Sequence, residues 1–307
     1  MITFVNKLVL SEWEFPYSNT LTFAQILVSI LILKILDIMG LIVLPRLSFG
    51  VLKTVLPLSL FYSLMIVTGL AALTWMNVPM FGTLRRMTTL IVLIFDVGLN
   101  GIKVSRAEAA AIFVMTLGAI VAGAADLAFD LRGYVLIALN CVLTAVYLVY
   151  IKYVGRITGL ESLGLMYINN ILSIPVLLFV FVVSGESETV FAYEYWFYPT
   201  FLILFIASAV AALTLNYTIF LCTEYNSAVV TSVTGQLKGL LSTLFGAIFL
   251  SGYVYSHLNM LGLVISSLGS VLYTLVKLPM SAQQAMLSFF GLSFLNGRSR
   301  KPSVQEV

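Results

Sequence analysis

The chain has 307 residues, of which 61% are hydrophobic and only 9% are charged, and its mean hydropathy is +1.07. A soluble domain carries about 25% charged residues, so the composition excludes a water-soluble globular protein. The formal net charge of +3 is small and gives no reason to expect a nucleic-acid partner. The apolar residues come in runs of about 20, the length of helix that crosses ~30 Å of hydrocarbon. The sequence therefore predicts an all-α polytopic membrane protein.

The predicted elements begin with a short apolar segment, "MITFVNKLVLSEWEFP", whose hydrophobic run stops at Glu12 and Glu14. The run is too short to span a bilayer, and it lacks the cleavage pattern of a signal peptide. Two interpretations are open. The segment is either a stub lying at the membrane interface, or the end of a first helix whose beginning this sequence does not contain.

Nine complete spans follow this segment. We predict them at roughly 20–40, 55–75, 78–99, 107–125, 133–151, 163–184, 197–221, 228–250 and 256–278. The connections between them are short, and a polar tail over 279–307 closes the chain. No part of the sequence is typical of a separate soluble domain.

Basic residues are concentrated in every second connection. Counted from the connection after the first complete span, the alternate connections and the C-terminal end hold eleven Lys and Arg side chains, whereas the other connections hold only Arg132. Because basic loops stay in the cytoplasm, we predict a cytoplasmic C-terminus. Glu12 then lies on the lumenal or external side, where a first helix rising from the cytoplasm would emerge, so the parent architecture would have ten helices.

The sequence offers few residues for catalysis or metal binding. Cys141 and Cys222 lie in or beside apolar runs and are assigned to packing, and His257 is the single histidine. No spacing of these residues matches a metal-ligand set, and motifs for phosphate-binding loops, serine hydrolases and zinc proteases are absent. We therefore predict that the protein is not an enzyme and needs no cofactor.

Two apolar stretches carry basic residues near their starts. "GTLRRMTTLIVLIF" holds Arg85 and Arg86, and "GQLKGLLSTLFGAIF", about half the chain later, holds Lys238 between Gly235 and Gly239. A cation within a span is costly and usually marks a solute pathway, although snorkelling to the interface and glycine-mediated helix packing are alternatives. Adjacent residues point ~100° apart on a helix, so the two arginines cannot both face one cavity squarely. Cations from two halves of the chain would suit a diphosphate.

A second polar group lies in "LMYINNILSIP", where Tyr167, Asn169 and Asn170 stand in an apolar span. Buried amides need partners. They either bond another helix, or they recognise a planar group such as the edge of a nucleobase. Asp96 is charged and lies in mid-span, where it would pair with a cation or hold a proton.

Four stretches carry a resemblance to a known family. "VPMFGTLRRMTTL", "AGAADLAFDLRGY", "ALNCVLTAVYLVYIK" and "TEYNSAVVTSVTGQLKG" resemble, in order, the fourth helix, the connection of helices five and six, the sixth helix and the start of the ninth helix of nucleotide-sugar transporters. These are solute carriers of the drug/metabolite transporter superfamily. "VNKLVL" is similar to the end of their first helix. The resemblance covers nearly the whole chain.

The resemblance implies one transporter domain over 1–307, with ten helices in two inverted five-helix repeats and the first helix truncated. Repeat one would cover about 1–125 and repeat two about 133–278, with a cytoplasmic tail at 279–307. It also implies exchange of a cytosolic nucleotide sugar for a lumenal nucleoside monophosphate across the Golgi or endoplasmic reticulum membrane. The expected partners are these two solutes and the lipid bilayer, and a second copy of the chain in a homodimer is a further candidate.

The substrate is inferred from two motifs. GDP-mannose transporters carry a tyrosine-asparagine-asparagine motif, and here Ile168 stands between Tyr167 and Asn169. Their glycine-alanine-leucine-asparagine-lysine motif corresponds to "GQLKG", in which the lysine stands one place early. Taken together, the two motifs of this chain are most similar to those of UDP-N-acetylglucosamine-type carriers. The candidate substrate-binding residues are Arg85, Arg86, Tyr167, Asn169, Asn170, Gly235, Gln236, Lys238 and Gly239.

A UDP-sugar antiporter is therefore the leading functional prediction, and three alternatives stay open. The first is a GDP-mannose transporter. The second is a phosphate-ester carrier of the triose-phosphate type, which would not need base-reading amides. The third is a membrane scaffold that transports nothing.

Overall fold

The computed structural model describes residues 5–6, 8–76, 78–124, 130–236 and 257–277, and every regular element in these ranges is helical. After a π-helical turn at Leu8–Glu12, the helices are α1 (Ser18–Ile38), α2 (Phe49–Leu73), α3 (Val78–Leu84), α4 (Thr88–Asn100), α5 (Arg106–Ala124), α6 (Leu131–Thr158), α7 (Ser162–Val183), the short α8 (Glu186–Thr189) and α9 (Pro199–Tyr225). Helix α10 is described over 228–236, and α11 is His257–Lys277.

Seven described helices are long and apolar enough to cross a membrane, namely α1, α2, α5, α6, α7, α9 and most of α11. This confirms the predicted polytopic helical membrane protein. Local signals in the sequence set the helix ends. Asp130 accepts hydrogen bonds from the N–H groups of Arg132 and Gly133 and so caps the start of α6. Gly101 and Gly159, both at φ +65°, end α4 and α6 in the left-handed conformation that glycine adopts readily.

The segment before α1 packs inside the helix bundle. Asn6 Oδ1 accepts hydrogen bonds from Gln25 Nε2 of α1 at 3.2 Å and from Ser208 Oγ of α9 at 2.6 Å. Gln25 Nε2 also donates to Ser208 Oγ at 2.7 Å, and Val9 is fully buried. These contacts hold the described part of this segment against α1 and α9, and both interpretations of the segment stay predictions.

One end of the bundle carries a cluster of aromatic rings, on the side that the charge pattern predicts to be lumenal. Phe15, which is fully buried, has ring contacts with Tyr193, Trp196 and Phe201. Beside this cluster, Glu186 accepts four hydrogen bonds from the backbone and side chains of Asn19 and Thr20 at the start of α1. These contacts fix the connection between α7 and α9 to the beginning of α1.

Helices α5 and α11 form a pair with very close backbones. A Cβ built on Gly118 would lie 2.3 Å from Ser266 N, and one built on Gly262 would lie 2.4 Å from Ala122 N. A Cβ on Gly269 would lie 2.4 Å from Met115 N. Small residues on both helices permit this approach, as is typical of helix pairs in membranes.

Candidate functional site

The predicted span over 78–99 is not one continuous helix. Helix α3 ends at Leu84, a 3-10 turn covers Arg85–Met87, and α4 begins at Thr88. At this turn the backbone oxygen of Arg85 accepts a hydrogen bond from Gln236 Nε2 of α10 at 3.1 Å. A side chain that bonds a helix carbonyl is a known cause of such breaks. The predicted span over 78–99 is therefore helical along its length but contains a 3-10 turn at the two arginines.

The backbone oxygen and the guanidinium of Arg85 have different neighbours, and the guanidinium interacts electrostatically with Cys141 of α6. Its guanidinium carbon is 5.7 Å from the centre of the Phe81 ring, a cation–π arrangement, and its backbone contacts Gln236. A Cβ built on the neighbouring Gly235 would meet no described atom within 4 Å. Gly235 is exposed, and no described residue packs against it.

Arg86 points to a different helix. It is only 3% exposed, and its Nη1 donates to Leu263 O at 3.4 Å and to Ser267 Oγ at 3.3 Å, both on α11. The divergence of the two arginines agrees with the expectation that neighbours on a helix cannot face one cavity. Arg86 holds the broken span against α11.

Below the break, polar contacts join α4 to α10. Thr89 Oγ1 and Ser232 Oγ are 2.8 Å apart, and both residues are buried. Asp96, which is 0% exposed, accepts a hydrogen bond from Asn100 Nδ2 at 2.7 Å and lies against the N–H groups of Ala228 and Val229 at the start of α10. A helix N-terminus favours a carboxylate, so this contact helps to hold the buried charge.

The predicted amide group lies in the interior of α7, which packs against α1, α2 and α9. Tyr167 and Asn170 are buried, and Asn170 Oδ1 accepts a hydrogen bond from Asn216 Nδ2 of α9 at 3.3 Å. Asn169 is 0% exposed, and neither polar atom of its side chain has a hydrogen-bond partner among the described residues. An unpaired buried amide is costly, which makes Asn169 the stronger candidate for contact with a solute.

The predicted site residues thus fall into two groups. Arg85 and Gln236 meet at the break, with Gly235 beside them. The amides of α7 form a separate group, and no hydrogen bond or ring contact among the described residues joins the two. Lys238 and Gly239 lie outside the described residues, so the contacts predicted for them stay predictions.

Sequence reasoning missed a polar group at the other end of the bundle. A cavity of about 190 Å³ lies between the end of α6, the start of α7 and the end of α9, with Lys152, Arg156, Ser162 and Glu224 in its lining. In the sequence, Lys152 and Arg156 contributed only to the orientation of the spans. No sequence signal brings them next to Glu224, because the three helices meet there only in the folded chain.

Relatives with curated functions match almost the entire chain. It is 34% identical over 279 aligned residues to a UDP-galactose/UDP-glucose transporter of Arabidopsis thaliana, covering 90% of this chain and 85% of the relative. It is 33% identical to a UDP-N-acetylglucosamine transporter of the same plant, covering 91% and 84%. The chain belongs to the nucleotide-sugar transporter family. A GDP-mannose transporter of Arabidopsis thaliana is also similar, at 27% identity over 80% of this chain and 67% of the relative.

The matched relatives are carriers rather than enzymes, which confirms the prediction that the protein is not an enzyme. One crystal structure of another protein superposes with a TM-score of 0.63 and 16% identity, over 90% of this chain and 94% of that chain, and shows that the fold recurs. No protein-family model matches the chain.

Proposed function

We propose that this nucleotide-sugar transporter is an antiporter for a UDP-sugar, with UDP-N-acetylglucosamine as the leading candidate. It would carry the sugar nucleotide from the cytosol into the lumen of the Golgi or endoplasmic reticulum in exchange for a nucleoside monophosphate. The similarity to UDP-sugar transporters over about nine-tenths of the chain carries this proposal. The C-terminus is cytoplasmic in this proposal, as the distribution of basic residues predicts.

In the proposed mechanism, Arg85 and Lys238 offset the charge of the diphosphate. The contact between Arg85 O and Gln236 supports this assignment because it brings the two basic stretches of the sequence together. Gly235, where a Cβ would meet no described atom within 4 Å, is proposed to let a phosphate approach the backbone. Transport is a rocking of the two halves of the single domain around this site, as in carriers built from inverted repeats.

The amides of α7 are proposed to read the base. Asn169 is buried without a described hydrogen-bond partner, so a uracil edge that supplies a donor and an acceptor would remove an energetic cost. Tyr167 lines the same region of α7, and Asn170 is positioned by its bond to Asn216. Arg86, held by α11, supports Arg85 rather than contacting the solute.

Uptake into proteoliposomes tests this function. The purified protein is reconstituted into vesicles loaded with UMP or GMP, and uptake of labelled UDP-N-acetylglucosamine and GDP-mannose is compared. We expect uptake of the UDP-sugar that depends on internal UMP, and the same solutes should raise the melting temperature of the detergent-solubilised protein. Uptake of GDP-mannose driven by GMP, without UDP-sugar uptake, would establish the alternative that the Tyr167–Asn170 stretch and the GDP-mannose relative suggest.

Two variants separate a nucleotide carrier from a phosphate-ester carrier. Asn169→Ala should abolish the preference of the transporter for a nucleotide sugar over a simple phosphate ester. Ser173→Ala, one turn further along α7, is the matched control, because Ser173 is buried and its hydroxyl bonds only the backbone oxygen of Asn169. If Asn169→Ala transports as the wild type does, the base-reading role is wrong. If no solute is transported and none shifts the melting temperature, the result supports a scaffold role.

A further inference from the structure

The cavity at the end of α6 has an apolar floor and a charged rim. It lies on the side of the membrane that the basic residues predict to be cytosolic. Ile151, Leu165 and Phe220 are buried at its floor, whereas Arg156 and Glu224 are exposed and Lys152 is half-buried. A charged group can therefore reach the rim from water, whereas the apolar floor lies against the interior of the bundle.

The two cations of the rim have no direct ion pair among the described residues, although Asp96 attracts Lys152 from a distance. Lys152 and Arg156 lie one turn apart on α6, on one face of the helix, and neither forms a salt bridge with a described residue. Glu224 accepts hydrogen bonds from the N–H group and the hydroxyl of Ser162 at the start of α7. Its carboxylate thus bonds the start of α7, and the rim, with two cations and one carboxylate, has a net positive charge that favours an anion.

The size of the cavity limits what it can hold. At about 190 Å³, it is smaller than the roughly 300–1,000 Å³ of pockets that enclose a whole small-molecule ligand. A phosphate or diphosphate group fits two neighbouring cations, whereas a complete nucleotide sugar would exceed the space. The cavity therefore suits a first contact with the charged part of the solute rather than the complete transport site.

Lys152 connects this cavity to the helix that carries Gln236. Its Nζ donates to the backbone oxygen of Asn226, which lies in the turn between α9 and α10. Lys152 also interacts electrostatically with Asp96, which lies against the start of α10. From that start, α10 runs past Thr89 to the contact with Arg85. An anion that draws Lys152 away from Asn226 would release the turn on which α10 begins.

We propose that the cavity lined by Lys152 and Arg156 is a cytosolic contact site for the phosphates of the solute, and that Lys152 couples phosphate binding there to release of the turn before α10. This inference rests on the proposed function. It adds a second phosphate site, used on one face of the membrane only, and it assigns a positioning role to a residue outside the central site.

Transport kinetics measured from each face test the inference. Sealed vesicles with the cytosolic face outward receive labelled UDP-N-acetylglucosamine outside and UMP inside, and each concentration is varied in turn. For Lys152→Gln we expect the apparent KM for the external sugar nucleotide to rise about 5- to 10-fold, with the apparent KM for internal UMP unchanged. Added salt should raise the external KM less in this variant than in the wild type, because screening acts on the charge that was removed.

Three control variants make the result specific. Lys152→Arg keeps the charge and should restore the external KM to within about twofold. Lys103→Gln removes an exposed charge from the same face, in the connection between α4 and α5, and should leave the KM unchanged. Glu224→Gln keeps an oxygen for Ser162 but removes the negative charge of the rim, so the external KM should fall by about twofold.

The outcomes separate this inference from the proposed function. If the wild type transports no nucleotide sugar, the proposed function itself fails. If the wild type transports and Lys152→Gln changes both KM values equally, or neither, the contact site is overturned while the antiporter stands. A melting temperature of Lys152→Gln equal to that of the wild type excludes misfolding as the cause of a KM change.

Discussion

The two sides of the broken span at Arg85–Met87 pack in contrasting ways. On one side, α5 and α11 approach so closely that a single added methyl group on Gly118, Gly262 or Gly269 would collide with backbone atoms. On the other side, the described contacts with α10 include two polar ones, Thr89 with Ser232 and Arg85 O with Gln236, within a core cluster that also holds Val92 and Val233. Arg86 bonds to the first side through its side chain, whereas Arg85 bonds to the second through its backbone oxygen.

This difference indicates which parts of the bundle can move. Close backbone packing over several turns gives one rigid arrangement, because interdigitated surfaces are not continuously deformable. A hydrogen bond between helices in a membrane contributes only about 0.6 kcal/mol on average, so the contacts of α4 with α10 can be exchanged at low cost. We infer that α5 and α11 act as a rigid support within the bundle.

The largest expected effect is the loss of the support. Gly262→Leu places a side chain where a Cβ alone would lie 2.4 Å from Ala122 N, so α5 and α11 must separate. We expect the free energy of unfolding to fall by at least about 3 kcal/mol, seen as a lost or sharply lowered melting transition in detergent. Gly98→Leu on α4 is the control, because a Cβ there meets no described atom within 4 Å. Equal stability of the two variants would contradict the close packing.

The next effect concerns Arg85. Arg85→Gln removes the cation proposed to bind the diphosphate while a polar side chain remains, and a hydrogen bond to a charged group is worth about 1.5–3 kcal/mol. Transport of the UDP-sugar should therefore fall at least about tenfold, with a melting temperature close to that of the wild type. The measurement is uptake into proteoliposomes together with thermal unfolding. A large fall in stability with normal transport would assign Arg85 to the support instead.

Arg86 should behave in the opposite way. Arg86→Gln loses the bonds from Nη1 to Leu263 O and Ser267 Oγ and part of the packing of the aliphatic stem. We expect the free energy of unfolding to fall by about 1–2 kcal/mol, while the KM of the folded protein for the sugar nucleotide changes less than twofold. A variant that is fully stable but has a raised KM would place Arg86 in the solute site, as the sequence first suggested.

The smallest effect is expected at the contact of α4 with α10. Thr89→Val keeps the shape of the side chain but removes the 2.8 Å bond to Ser232 Oγ. Stability should fall by about 0.6 kcal/mol, and the maximal transport rate should change while KM does not. Thr116→Val on α5 is the control, because its hydroxyl bonds only the preceding turn of its own helix. A change of rate in the control as well would remove the distinction between the two sides.

Much of the fold was predictable because membrane insertion leaves a strong signal in the sequence. Runs such as 18–38 and 162–183 match predicted spans to within a few residues, since length and hydropathy decide them. The break at Arg85–Met87 was not predictable from the same signal. It depends on Gln236, which lies 151 positions away and reaches the Arg85 carbonyl only after α10 has packed.

The candidate site was predictable in composition but not in arrangement. Residues such as Arg85 and Asn169 are conspicuous because polar groups are rare in spans, and the sequence identifies them for that reason. Their partners were not visible. Nothing in the sequence assigns Arg86 to α11, pairs Asn170 with Asn216, or leaves Asn169 unpaired among the described residues.

By itself, the sequence determined that this protein is a helical membrane protein, where most of its spans lie and which family it resembles. These properties depend on the transfer of each segment from water to lipid, which is a local quantity. Only the tertiary structure decided which helices Arg85 and Arg86 contact, and only it formed the cavity beside Lys152. Both depend on which helix faces which, and that is set by side-chain packing between segments far apart in the chain.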